Sequence, residues 1–156
     1  MPTIILRTQI DANQQLVFDL ARSIDLHKIS TEKTNEEAIA GITSGLIELN
    51  ETVTWRARHF GVYQTLTSKI TEFDAPNYFV DEMVKGAFKS FRHEHIFKTE
   101  NGKTIMDDIF DFEVPFGVLG SLVGVIILKP YLKKFLLERN QVIKSFAETE
   151  KYNTIL

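Results

Sequence analysis

Residues 115–147 are the only stretch of this sequence whose apolar spacing can sustain one long helix, so the rest of the chain must be arranged to cover it. The two halves of the stretch differ. Residues 114–128 read V-P-F-G-V-L-G-S-L-V-G-V-I-I-L and carry no charge. In residues 129–147 the pattern is amphipathic. Leu128, Leu132, Phe135, Leu136, Ile143 and Phe146 recur at three- and four-residue spacing, while Lys129, Lys133, Lys134, Glu138 and Lys144 lie mostly off that stripe. The uncharged run falls short of the ~20 residues a spanning helix needs, so no stable membrane insertion is expected.

Upstream the period changes from that of a helix to that of a strand. Residues 3–10 predict a strand with Ile4, Leu6, Thr8 and Ile10 on one face. Asp11 or Asn13 can cap a helix over residues 14–24 that turns Val17, Leu20, Ala21 and Ile24 inward. Residues 25–30 predict a single turn with Leu26 and Ile29 pointing in, and part of residues 31–45 reads as an edge strand. From Gly45 onward turn signals stand at Asn50-Glu51, Phe60-Gly61, Asp74-Ala75-Pro76-Asn77 and Asn101-Gly102. The segments between them, 53–59, 62–73, 78–85, 88–99 and 103–114, are rich in β-branched and aromatic residues and form a meander of hairpins.

The turns fix the pairing. With Asn101-Gly102 in a two-residue turn, Glu100 faces Lys103, Phe97 faces Met106, His95 faces Asp108, His93 faces Phe110 and Phe91 faces Phe112. A tight turn at Phe60-Gly61 pairs His59 with Val62, Ala57 with Gln64, Trp55 with Leu66 and Val53 with Ser68. The loop at 74–77 pairs Glu72 with Phe79, Ile70 with Asp81 and Ser68 with Met83. One shared inner wall follows: Trp55, Leu66, Ile70, Phe79, Met83, Phe91, Phe97, Met106, Phe110 and Phe112. Set among them are His59, Gln64, Asp81, His93, His95 and Asp108. The other face carries Thr54, Arg56, Arg58, Thr65, Thr67, Lys69 and Thr71 and is read as solvated rather than as a phosphate site. The inner polar groups must satisfy one another or face a wet cavity.

Composition narrows the classes. A chain of 156 residues, 44% hydrophobic and 25% charged, predicts one soluble globular domain over residues 1–156. A net charge of −3 with no basic tail argues against nucleic acid as a partner. The sequence has no cysteine and no signal-peptide pattern at its start, so a cytoplasmic protein is expected. Twelve phenylalanines suit a wide apolar interior.

The segments V-T-W-R-A-R-H-F-G at 53–61, S-K-I-T-E-F-D at 68–74, F-V-D-E-M-V-K-G-A-F at 79–88, F-R-H-E-H-I-F at 91–97 and D-F-E-V-P-F-G-V-L-G at 111–120 resemble bacterial ligand-binding proteins of the START-like, birch-pollen-allergen superfamily (SRPBCC). The resemblance covers nearly the whole chain. It implies an α+β helix-grip fold: a curved antiparallel sheet of about seven strands around a long C-terminal helix, with two short helices after the first strand. It also implies binding of lipids, sterols, hormones or polyketides, with a minority of cyclases and hydrolases. No catalytic triad comes with that fold, and no catalytic residue is carried over.

Several groups admit two readings. His93-x-His95 with His59 and Asp108 could hold a metal. The inferred register favours a structural His95–Asp108 hydrogen bond, with orientation of a ligand as the next reading, and no cofactor and no metal are expected. The same pair could serve acid–base chemistry, but no nucleophile stands beside it. Arg139 falls on the helical stripe and is read as snorkelling out, the alternatives being an anchor for an acidic ligand or a partner for Asp81. Gly117, Gly120 and Gly124 weaken the uncharged run, which is either a gate or a surface whose Phe116, Leu119, Leu122, Val123 and Ile126 pack on the sheet or on a second copy in a homodimer. Pro130 should kink the helix.

The expectation is therefore non-catalytic binding of a small, largely hydrophobic, lipid-, sterol- or polyketide-like molecule. Its site would be Trp55, His59, Leu66, Phe79, Asp81, Met83, Phe91, His93, His95, Met106, Asp108, Phe110, Phe112 and Arg139. A cyclase or hydrolase acting on an aromatic substrate is the alternative, and a lipid-handling or protein-interaction domain is the next.

Overall fold

In the computed structural model, which describes residues 2–156, Asn101 and Gly102 both take left-handed backbone, with φ of 52° and 75°. Two such residues make the hairpin turn whose twist matches that of its strands. The strands it joins, β6 (Ser90–Glu100) and β7 (Lys103–Glu113), pair as the turn dictates, from Glu100 with Lys103 to Phe91 with Phe112. Phe60 and Gly61 repeat the geometry between β3 (Thr52–His59) and β4 (Val62–Asp74), and the expected pairs there are also found.

The loop at 74–77 leads into β5 (Tyr78–Lys85), where one expected pair fails. Ile70 faces Asp81 and Ser68 faces Met83, but Glu72 faces Val80 and Phe73 takes Phe79. A bulge between Ile70 and Glu72 inserts the extra residue, and a bulge is invisible to a count that starts from the turn. β1 (Thr3–Ile10) pairs with β7, and β2 (Glu37–Gly41) is the edge strand beside β3. The seven strands form one antiparallel sheet in the order β1-β7-β6-β5-β4-β3-β2.

Two helices follow β1. Asn13 caps α1 (Gln14–Ala21) by accepting from the Gln15 and Leu16 N–H groups. Ser23 starts a second helix, α2 (Ile24–Ser30), by accepting from the Leu26 N–H. This cap is why one long helix to Ile24 does not form. Val17, Leu20, Ile24 and Leu26 are buried as expected, Phe18 joins them, and Ile29 faces out.

The C-terminal helix runs unbroken from α3 (Gly117–Val123) through a π-helical turn (Gly124–Leu128) into α4 (Lys129–Glu148). Pro130 is the expected site of a kink in this helix. The irregularity falls on the wide turn just before it, so Pro130 stands at the head of α4, where a missing N–H is tolerated. Among the described residues no helix is long and apolar enough to cross a membrane.

The core is cut in two by a polar layer. One apolar cluster holds Ile10, Phe97, Met106 and Ile143; the other holds Leu6, Phe91, Phe110 and Leu136. Between them along the same four elements lie Thr8 on β1, His93 and His95 on β6, Asp108 on β7, and Arg139 and Asn140 on α4, all buried.

Candidate functional site

The curved sheet and the C-terminal helix do not close on each other completely. A cavity of about 510 Å³ lies between them, within the range usual for small-molecule sites. Trp55, Leu66, Phe91 and Phe110 line it from the sheet, and Leu132 and Phe135 from α4. Phe60 and Phe116 stand at its rim, and both hold left-handed backbone, with φ of 52° and 75°. Bulky residues rarely adopt that conformation, and such strain gathers at ligand clamps and switches.

The rim continues into the exposed helix α3. Phe116 is 85% exposed and Val118 89% exposed, and Leu119, Leu122, Val123 and Ile126 are exposed as well. These side chains therefore do not pack on the sheet. The residues of this segment that are buried are Gly120 and Gly124. A Cβ on Gly120 would stand 1.8 Å from the Pro115 carbonyl oxygen, and one on Gly124 would stand 3.2 Å from Val114. Both glycines thus serve close approach, holding an apolar helix against the chain that precedes it.

The polar layer forms the inner end of the cavity. Asp108 is its centre. His93 Nε2 lies 2.8 Å from Asp108 Oδ1, and Asn140 Nδ2 donates to Asp108 Oδ2 at 2.7 Å. Arg139 Nη1 lies 3.5 Å from Asp108 Oδ1, donates to Asn140 Oδ1 at 2.9 Å, and through Nη2 the guanidinium reaches the Ala21 carbonyl. His95 Nε2 lies 2.7 Å from Asp81 Oδ2, while its Nδ1, 3.3 Å from Asp108 Oδ1, is buried without a hydrogen bond. Each residue offers one potential metal-ligating atom in the group Asp81, His93 and His95, and these atoms lie within 4.8 Å of one another.

Burial and the contacts within the layer act on His93, Asp108 and Asp81. Burial pushes the His93 imidazole down to about 4, helped by neighbouring His95 and opposed by Asp108 and Asp81. Burial also pushes the Asp108 carboxyl up, but contacts with His93 and His95 and the charge of Arg139 outweigh it and hold the group well below its usual range. Asp81 is held low by the same balance, with His95 the main opposing partner.

A second polar corner lies elsewhere on the lining. His27 Nε2 meets Glu36 Oε1 at 2.8 Å beneath the Trp55 ring, 4.3 Å between centroids, and leaves Glu36 Oε2 buried without a partner. His59 Nδ1 meets the Tyr131 hydroxyl at 2.6 Å, and burial lowers the His59 pKa.

Of the residues expected from the sequence, Trp55, His59, Leu66, Asp81, Phe91, His93 and Phe110 line the cavity. The others point inward but stand off its wall. Met106 and Phe112 are solid core, Met83 packs beside Leu66, and Phe79 is stacked on His95 against Phe18. Phe79, His95 and Arg139 instead border a hollow of about 100 Å³ on the other side of the layer, with Asp108 buried between the histidines and Asn140. Alternation along a strand tells which face a residue is on, not how far along the groove the cavity reaches. His95 and Asp108 are cross-strand neighbours as expected, yet it is His93 that makes the short bond to Asp108. Arg139 does not snorkel out; it is buried and its carboxylate is Asp108 rather than Asp81. His59 bonds Tyr131 and is not part of the group of Asp81, His93 and His95, so the four residues His59, His93, His95 and Asp108 do not assemble as one metal set. Asn140, Glu36, Tyr131 and the helical wall are not evident from the sequence pattern of the strands. The stripe at Leu132 and Phe135 is the available signal for that wall.

No protein-family model and no curated protein matches the chain. Solved structures do. TTHA0849 from Thermus thermophilus superposes with a TM-score of 0.71 over 94% of this chain and 99% of that one, at 17% identity. Ginseng major latex-like protein 151 from Panax ginseng gives 0.70 over 95% and 98%, also at 17% identity. Protein CV1439 from Chromobacterium violaceum gives 0.70 over 94% and 97%, at 8% identity. These likenesses show the fold, a helix-grip fold in which a curved antiparallel sheet wraps a long C-terminal helix.

Proposed function

We propose that this helix-grip chain binds a small, largely hydrophobic molecule, lipid-, sterol- or polyketide-like, inside the cavity and without catalysis. The observation that carries the reading is the cavity of about 510 Å³, walled by aromatic and aliphatic side chains and polar at only a few points. The apolar body of the ligand lies against Trp55, Phe91, Phe110 and Phe135. A hydroxyl or amine on it donates to Glu36 Oε2, the buried oxygen left without a partner. Access is past Phe60 and Phe116, where the exposed apolar helix α3 offers a greasy path from outside.

Binding is favoured over hydrolysis because the cavity's histidines direct their short contacts to Asp108, Glu36 and Tyr131 rather than to a serine or threonine hydroxyl. Native mass spectrometry of freshly purified protein tests the reading. A retained apolar small molecule supports it. A homogeneous apo mass, together with failure to retain any of a panel of fatty acids, sterols and aromatic polyketides, contradicts it.

A further inference from the structure

The surroundings of His95 contain a conflict that a bound cation removes. Its Nε2 lies 2.7 Å from Asp81 Oδ2 and its Nδ1 lies 3.3 Å from Asp108 Oδ1. A neutral imidazole carries one N–H. Whichever nitrogen holds it, the other turns a lone pair toward a carboxylate oxygen. His93 has a related surplus. Its Nε2 donates to Asp108, so its Nδ1, 4.0 Å from Asp81 Oδ2, is a lone pair without a donor among the described residues, on a side chain that lines the cavity. With both imidazoles neutral the charge is unbalanced too: Asp81 and Asp108 against Arg139 leave one net negative charge in a layer flanked by two apolar clusters, which is costly without a counterion.

We propose that Asp81, His93 and His95 bind one divalent transition-metal ion, zinc by the match of two imidazoles and a carboxylate, at the inner end of the cavity. The ligating atoms are Asp81 Oδ2, His93 Nδ1 and His95 Nε2. Zinc bonds of ~2.0–2.1 Å in a tetrahedron set ligand atoms roughly 3.3 Å apart. The separations of 2.7 Å and 4.0 Å to Asp81 Oδ2 straddle that value, so each closes or opens by roughly 0.7 Å, within reach of side-chain rotation.

Metal on these atoms settles both tautomers. His93 keeps its N–H on Nε2 and His95 takes its N–H on Nδ1, and both face Asp108 Oδ1. One carboxylate then orients both ligating imidazoles, the usual outer-shell partnership of metal-bound histidines. Asn140 and Arg139 fix that carboxylate, which makes Asp108 a positioning residue. The remaining coordination position faces the cavity, since Asp81 and His93 line it. The set is hidden in the sequence because His95 and Asp108 look like a self-sufficient pair, while Asp81 comes from a different hairpin. The site stands independently of the apolar-ligand reading, and its test uses metal alone.

Chelator-stripped full-length protein is titrated with zinc by calorimetry and with cobalt(II) by visible absorption. One equivalent of each should bind, with cobalt d–d bands, and the ring signals of His93 and His95 should shift in NMR spectra. Asp81→Asn preserves shape at a cavity-facing position and should weaken zinc at least tenfold with an unchanged circular dichroism spectrum; Asp108→Asn should weaken it about 10–100-fold, as loss of an outer-shell partner does. Absence of zinc heat and of cobalt bands in the folded protein overturns the proposal. So does undiminished zinc binding in Asp81→Asn. ¹⁵N shifts showing His95 doubly protonated at neutral pH after zinc addition would identify a proton as the resident cation and overturn it as well.

Discussion

Replacing Asp108 by alanine removes the acceptor on which the polar layer converges. Its two oxygens meet His93 Nε2 at 2.8 Å and Asn140 Nδ2 at 2.7 Å, with Arg139 at 3.5 Å. A hydrogen bond to a charged group contributes about 1.5–3 kcal/mol. Breaking one side of a buried ion pair costs about 3–5 kcal/mol, much of it from the charge left unpaired. These figures overlap, because one carboxylate makes all three contacts, so the expected loss is about 4 kcal/mol rather than their sum. With an m-value of about 2 kcal/mol/M, the urea midpoint should fall by about 2 M. Trp55 emission and circular dichroism should report the same transition. Adding Arg139→Met to Asp108→Ala removes the stranded guanidinium, and the double variant should be less destabilised than the sum of the singles by at least about 1 kcal/mol. A midpoint shift below about 0.5 M in Asp108→Ala would refute the reasoning, since it would mean that the layer is hydrated rather than buried.

Acidification should destabilise the metal-free protein. His93 has a folded pKa of about 4 against an ordinary 6.5, so the unfolded chain binds its proton more readily. The stability this represents is whole above the unfolded value and is lost as pH falls toward the folded one, at most roughly 3 kcal/mol. Asp108 and Asp81, both held low, act in the same direction at more acidic pH. Urea midpoints in chelator should therefore be lower near pH 5 than near pH 7; a higher midpoint at the acidic end would mean that His93 is charged in the fold. Phe60→Asn should raise stability by about 1 kcal/mol in the same melts, because asparagine tolerates the left-handed turn position that phenylalanine strains to occupy; no gain would show the strain to be offset by the Phe60–Tyr131 contact. Gly120→Ala should cost about 1–3 kcal/mol, since its Cβ meets the Pro115 carbonyl oxygen at 1.8 Å, and an unaltered melt would show α3 free to move away.

The sheet was legible because its information is local. Two glycine turns fixed the register of two hairpins, and the period of two then fixed which side chains face inward. What failed was also local but silent: the bulge after Ile70 and the Ser23 cap that splits the first helix. The site was legible only in part. Inward alternation found Trp55, Phe91, His93 and Phe110, yet it gave no depth, so Met106 and Phe112 read as wall when they are core. Asn140 escaped because an asparagine beside an arginine on a helix reads as solvent-facing. Only packing against Asp108 reveals that the two residues complete a buried layer. Glu36 escaped because it precedes a short edge strand whose pattern is weak.

The central claim is that the space between sheet and helix is a binding cavity, and titration with an apolar fluorescent probe tests it most directly. Trp55 is the sole tryptophan and lies on the cavity wall, so its emission reports occupancy. The wild-type protein should quench saturably, with a dissociation constant in the range of about 1 μM, equivalent to about 8 kcal/mol. Leu66→Trp, which fills the cavity from β4, should abolish the rise in the probe's own emission while leaving the circular dichroism spectrum unchanged. No saturable signal with the wild type, or an equal probe response in the filled variant, would contradict a binding cavity between sheet and helix.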